Sequence, residues 1–138
     1  MAMNRIALDH ALWAPRMLSI LRIMTALLFI EHGTQKLFGF PPPLNPGPGL
    51  PPLLWVQGII ELVGGLLILF GLFTRPAAFI LAGDMAVAYF MVHAPRGFFP
   101  VSNQGELAVL YCFVFLYLWV AGGGAWSIMR LRRANRLA

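Results

Sequence analysis

Four separate stretches of this sequence each approach the length of apolar chain that an α-helix needs to cross a lipid bilayer. A helix rises about 1.5 Å per residue, so roughly 20 residues span a hydrocarbon layer about 30 Å thick. The stretches cover residues 17–38, 53–73, 76–93 and 105–121. Barrel strands would read as segments of about ten alternating residues, whereas these runs are apolar throughout, so helices are expected. The composition agrees: 59% of the chain is hydrophobic and 11% charged, where about 25% charged is usual for a soluble domain. A surface so poor in polar groups is stable where lipid covers it. The expected fold is therefore an all-α membrane protein, a single domain over residues 1–138 built as a four-transmembrane-helix antiparallel bundle.

The connections differ in kind. Residues 39–52 hold seven of the eleven prolines; proline fixes φ and lacks an N–H, so an extended outer loop is expected rather than a helix. Pro15 suits the start of the first span. Thr74-Arg75 alone links spans two and three, which predicts a tight antiparallel hairpin, and Phe98 and Phe99 in the next loop are expected at the lipid interface. With four spans, one side of the membrane receives Arg5, Arg16, Arg75, Arg130, Arg132, Arg133 and Arg136, and the other receives Lys36 and Arg96. That asymmetry predicts that both termini are cytoplasmic. The basic tail, residues 125–138 with Trp126 as an anchor, is expected to meet anionic lipid headgroups. The net charge of +5 does not indicate nucleic acid, because the basic residues flank apolar runs and form no nucleic-acid motif. The one cysteine, Cys112, excludes an intramolecular disulfide and any Cys-x-x-Cys site, and is expected to be a small core residue.

Ionisable side chains within the spans carry the most information, since each costs at least about 2.5–3.5 kcal/mol at mid-membrane unless it finds a partner. Arg22 and Asp84 lie about 8 Å and 12 Å in from the same end of their spans, which predicts an Arg22–Asp84 ion pair clasping the bundle. The others gather toward the opposite face: Glu31, His32, Gln35 and Lys36 on span one, Gln57 and Glu61 on span two, Tyr89 and His93 on span three, and Glu106 at the start of span four. At about 100° per residue, Arg22, Thr25, Phe29, His32 and Lys36 share one helical face, and Gly58, Glu61 and Gly65 share another. Small residues let a neighbouring helix approach, so Glu61 is expected to face protein. His32, Lys36, Glu61, Tyr89, His93 and Glu106 are the candidates for a ligand pocket.

Three readings of that cluster stand beside one another. It suits a quinone or similar amphipathic molecule, with His32, His93, Lys36 and Tyr89 as donors and Glu61 or Glu106 as proton relays. A metal site has His and carboxylate ligands available but lacks an H-x-x-x-H or H-E-x-x-H spacing, and no metal is expected. The third reading is structural, with salt bridges that hold the bundle together. No haem, flavin, iron–sulfur or zinc pattern is present, so a redox role would need a partner subunit. The small-residue faces and Glu31 also permit a homo-oligomer.

The same residues carry a family resemblance. The order Gly-x-x-Lys from Gly33 to Lys36, then the Gly58-to-Ala78 stretch containing Glu61, Gly64-Gly65 and Thr74-Arg75, then Ala86 to His93, then Asn103 to Tyr111 with Glu106, resembles the DoxX family. The resemblance covers nearly the whole chain and includes Arg75 in the short turn. It implies a small four-span protein of the bacterial inner membrane, with relatives among the subunits of thiosulfate:quinone oxidoreductase. By that association it implies a membrane subunit binding a quinone-like or other small amphipathic molecule; the alternative is a non-enzymatic scaffold or a small-molecule permeation component. A permeation component would need polar groups continuing from the outer cluster past Asp84 to the other face.

Overall fold

The computed structural model describes residues 5–43 and 51–135. Residues 44–50 of the proline-rich loop, with Pro46 and Pro48, and Arg136 in the tail lie outside the described residues, as does the side chain of Arg5. The described residues are all-helical, with no strand: α1 (Arg5–Phe38), α2 (Pro52–Phe70), α3 (Thr74–Ala88), a short α4 (Pro100–Asn103), α5 (Glu106–Ala121) and α6 (Ile128–Asn135). α3 continues as a π-helical turn, Tyr89–His93, and a 3₁₀ turn, Ala94–Arg96. Three helical stretches are long and apolar enough to cross a membrane: Leu8–Phe38, Pro52–Phe70 and Thr74–Arg96. α5 has 16 residues, about 24 Å of rise, and is shorter than those three.

α1 packs along α2, and α3 along α5, with a lighter contact between α2 and α3. The centre is apolar: Phe29, Ile68, Ala78, Leu81, Phe115 and Leu118 are all fully buried. Phe29 meets Phe115 edge-on, at 4.8 Å between ring centroids, and so brings α1 against α5. Glycine makes the α1–α2 seam close. A Cβ at Gly33 would lie 2.8 Å from the Leu62 nitrogen and 3.0 Å from the Gly58 oxygen, and backbone atoms cannot swing aside. The outer face is hydrophobic, with Leu27, Leu28, Val63, Phe79, Ile80, Leu110 and Phe113 exposed, as a lipid-facing surface requires.

Three local expectations need correction. α1 begins well before Pro15 and runs through it. The carbonyl that a proline leaves without its helical partner is Ala11's, and that turn is exposed. Pro15's own carbonyl accepts from Ser19 Oγ at 3.1 Å and from the Ala125 N–H at 2.9 Å. The α2–α3 connection is Gly71-Leu72-Phe73, and Thr74-Arg75 already belong to α3. Gly71 adopts a left-handed conformation (φ 66°), and the Gly71 and Leu72 N–H groups donate to Ile68 and Leu67. That is the glycine-terminated Schellman pattern, which closes a helix and reverses the chain.

The third correction concerns Arg22. It does not pair with Asp84: the one ion pair among the described residues is Lys36–Glu61. The guanidinium, 1% exposed, donates instead to four backbone carbonyls: Nη1 to Ile68 and Leu69, Nε to Gly123 at 2.8 Å, and Nη2 to Trp126 at 3.3 Å. The Schellman pattern leaves the Leu69 carbonyl without an intrahelical partner, and the C-terminal end of a helix carries partial negative charge. Arg22 therefore caps α2 and ties it to the Gly-rich segment after α5. Ser19 Oγ accepts from the Trp126 N–H at 2.9 Å beside it.

Arg22→Met keeps the length and apolar stem but leaves these carbonyls with no donor. Hydrogen bonds to a charged group are worth about 1.5–3 kcal/mol each, so the variant is expected to unfold in mild detergent with a loss of at least about 3 kcal/mol. Arg22→Lys, which keeps a charge but not the fork, should fall between. Thermal unfolding of the purified proteins checks the order.

Candidate functional site

A cavity of about 400 Å³ opens near the end of the bundle opposite Arg22, where α1, α2, α3 with its π turn, and α5 converge. The sequence places polar side chains there by helical spacing. On α1, Phe29 is buried, and His32 and Lys36 follow it on the same face, half-buried and lining the cavity. On α2, Gly58, Glu61, Gly65 and Ile68 are the buried residues, one stripe at spacings of three and four. Glu61 is the deepest charged group of the cavity, 1% exposed.

Lys36 Nζ donates to Glu61 Oε1 at 2.5 Å. Gly58 makes room for that contact, because a Cβ there would lie 3.1 Å from Lys36 Cβ. The second carboxylate oxygen, Glu61 Oε2, is buried without a hydrogen-bond partner. An unsatisfied buried acceptor on a cavity wall is unusual and points to a ligand or solvent donor. Gln57, one turn before Glu61, also lines the cavity.

His93 reaches the site through the irregular end of α3. Its Nδ1 lies 3.1 Å from the Asn103 carbonyl. A carbonyl only accepts, so Nδ1 carries the proton and Nε2 of the neutral ring is an acceptor. Asn103 itself is 1% exposed and organises the surrounding loop. Its Nδ2 donates to the Gly97 carbonyl at 2.8 Å and to Tyr89 Oη at 3.4 Å, while its Oδ1 accepts from the Gly105 N–H at 2.8 Å. The Tyr89 ring stacks on His93 at 6.4 Å. The π turn, Tyr89–His93, a feature frequent at functional sites, ends on His93, which lines the cavity.

Of the six pocket candidates, the structure brings His32, Lys36, Glu61 and His93 to one cavity. Tyr89 stands behind His93 as a support and is not on the cavity wall. Glu106 is exposed and off the wall; as the first residue of α5, its charge faces the positive end of that helix. Asp84 lies in a neighbouring crevice. Arg75 is exposed at the far end of the molecule, with its guanidinium beside Gly122. Asn103 and Tyr111 are the functional neighbours that helical spacing does not single out. Tyr111 lines the cavity and meets His32 edge-on at 6.0 Å. Among the described residues no group of three His, Cys, Asp or Glu side chains is placed to hold a metal ion.

These features belong to a small helical membrane protein with a polar cavity in its bundle. The DoxX family profile matches residues 17–94, and the chain belongs to the DoxX family. It is 49% identical to a Haemophilus influenzae protein, over 84% of this chain and 90% of that one. It is 32% identical to the Escherichia coli inner membrane protein YqjF, over 81% of this chain and 88% of the relative. It is 36% identical to the Bacillus subtilis protein named "Putative oxidoreductase CatD", over 75% and 77% of the two chains. No solved structure matches the chain.

The Lys36–Glu61 contact is testable as a pair. Lys36→Met should leave Glu61 as a buried charge without a counter-ion, which costs about 3–5 kcal/mol in comparable buried pairs. The double variant Lys36→Met with Glu61→Leu should recover most of that loss, because an apolar replacement of both partners is close to neutral. A double-mutant cycle from unfolding in detergent measures the coupling directly.

Proposed function

We propose that this protein is a membrane subunit that binds a quinone-like amphipathic molecule in the Glu61 cavity, within a redox-linked complex of the bacterial inner membrane. The observation that carries the reading is Glu61 Oε2, a buried oxygen on the cavity wall with no partner. With its Nδ1–H on the Asn103 carbonyl, the uncharged tautomer of His93 offers a second acceptor through Nε2. Two acceptors suit the two hydroxyl donors of a quinol head. Phe29, Met85, Leu107 and Tyr111 supply apolar and aromatic wall beside it.

In this reading the residues of the chain bind the head group and hold protons. Lys36 keeps Glu61 in place by its hydrogen bond to Oε1, leaving Oε2 to accept from one hydroxyl. Asn103 fixes the tautomer of His93, so that Nε2 accepts from the other. A quinol supplies two protons and two electrons on oxidation. The electrons would pass to a partner subunit, and the name of the Bacillus subtilis relative gives that redox link its support.

The rival permeation reading has less support. Around the middle of the bundle Phe29, Ile68, Leu81, Phe115 and Leu118 are buried, with Thr25 as a buried polar side chain beside Arg22, and Asp84 forms no ion pair with Arg22. The membrane arrangement belongs to the same proposal: α1, α2, α3 and the shorter α5 each cross once, and both termini are cytoplasmic. The excess of arginine on that side supports it. The name of the Escherichia coli relative supports the inner membrane.

Purified protein in lipid nanodiscs should bind decylubiquinol saturably and more tightly than decylubiquinone. Glu61→Gln and His93→Ala should each weaken quinol binding by roughly tenfold or more, the scale of one hydrogen bond to a charged or strongly polar group, while membrane insertion is retained. Unchanged affinity in both variants would exclude the cavity as the quinol site. For the topology, a single cysteine placed at Asn135 in a Cys112→Ser background should resist a membrane-impermeant maleimide in intact cells and react after permeabilisation. Labelling in intact cells would reverse the orientation.

A further inference from the structure

A second crevice, of about 300 Å³, lies between α2 and α3. Val56, Gln57 and Ile60 give one wall at helical spacing, and Ile80, Asp84 and Val87 give the other. Val56, Ile80 and Val87 are more than half exposed, so the crevice opens on the lipid-facing surface. Asp84 is the one charged group in its lining. Its Oδ2 is buried and has no hydrogen-bond partner.

The cations that could neutralise Asp84 are engaged elsewhere. Lys36 holds Glu61 at 2.5 Å, and Arg22 is bound by carbonyls at the other end of the bundle. A carboxyl group on a lipid-facing apolar wall is expensive to leave unsatisfied. Gln57 lines both this crevice and the Glu61 cavity, so the two share a wall.

We propose that the α2–α3 crevice is a second binding site, entered from the bilayer, for an amphiphile whose head group donates a hydrogen bond to Asp84 Oδ2 and whose chain lies along Val56, Ile80 and Val87. The chemistry is an ammonium or a hydroxyl on an alkyl chain. A carboxylate head has no hydrogen to donate to that oxygen. The apolar walls accept a chain with no sequence of polar contacts, so recognition rests on the head alone.

The test uses the full-length protein in nanodiscs of zwitterionic lipid, with decylamine, decanol and decanoate as probes and native mass spectrometry as the readout. Saturable one-to-one binding of decylamine or decanol, without decanoate, is expected; decylamine alone assigns a cationic ligand and decanol alone a hydroxyl one. Asp84→Asn should weaken the bound probe by roughly tenfold or more. Ile80→Trp, which fills the crevice from an exposed position without touching the carboxyl, should do the same and guards against a folding defect at Asp84. His93→Ala, which impairs the quinol cavity, should leave this binding in place, so the two sites fail separately. Equal binding of all three probes, or undiminished binding in both Asp84→Asn and Ile80→Trp, overturns the proposal.

Discussion

The bundle depends on one cation that has no anion. Arg22 is buried on α1, and the carbonyls of Ile68, Leu69, Gly123 and Trp126 accept its hydrogen bonds. In lipid, no water is available to satisfy the exposed end of a helix. The C-terminal carbonyls of α2 and the glycine-rich segment after α5 are such ends. A guanidinium has five N–H donors in a rigid fork, so one side chain satisfies several of these carbonyls and is satisfied by them. It joins α1, α2 and the chain beyond α5 in a single knot, which no carboxylate could replace because a carboxylate only accepts.

That knot decides where chemistry can occur. With one end of the bundle closed by Arg22 and the middle filled by Phe29, Ile68, Leu81, Phe115 and Leu118, polar groups with free valences remain at the other end. There the chain uses a different solution, an ion pair in which only one carboxylate oxygen is matched. The closed end is electrostatically complete and the open end is not. Such a division between a saturated structural site and an unsaturated cavity is what a ligand-binding membrane bundle requires.

Much of this was readable in the residues. The 3.6-residue period aligned Arg22, Thr25, Phe29, His32 and Lys36, and the glycines flanking Glu61 marked the face of α2 that meets protein. What failed did so for definite reasons. Arg22 was matched to Asp84 by depth and opposite charge, but its acceptors are backbone carbonyls, which every residue possesses and no side-chain pattern marks. Pro15 reads as a helix start, yet the carbonyl it leaves without a helical partner, Ala11's, lies in an exposed turn, so the helix runs through the proline at little cost. Asn103 entered only as part of the family resemblance and its role was not legible, because its partners, Gly97, Gly105, Tyr89 and His93, meet only after the loop between α3 and α5 folds back. Glu106 was grouped with the pocket by position, whereas its place at the start of α5 turns it outward.

The glycine seam links the two ends. Gly33 sits against the backbone of Gly58 and Leu62, and Gly58 sits beneath Lys36. The axes of α1 and α2 are therefore held close along the length that contains Lys36 and Glu61. A lysine is a flexible point charge, and its short contact with Glu61 follows from this approach, because a wider seam would let the ammonium turn toward the membrane surface. The geometry of the ion pair is thus set partly by residues that have no side chain. Gly33 and Gly58 fix how far Lys36 can be from Glu61, and thereby which carboxylate oxygen is occupied and which is left without a partner.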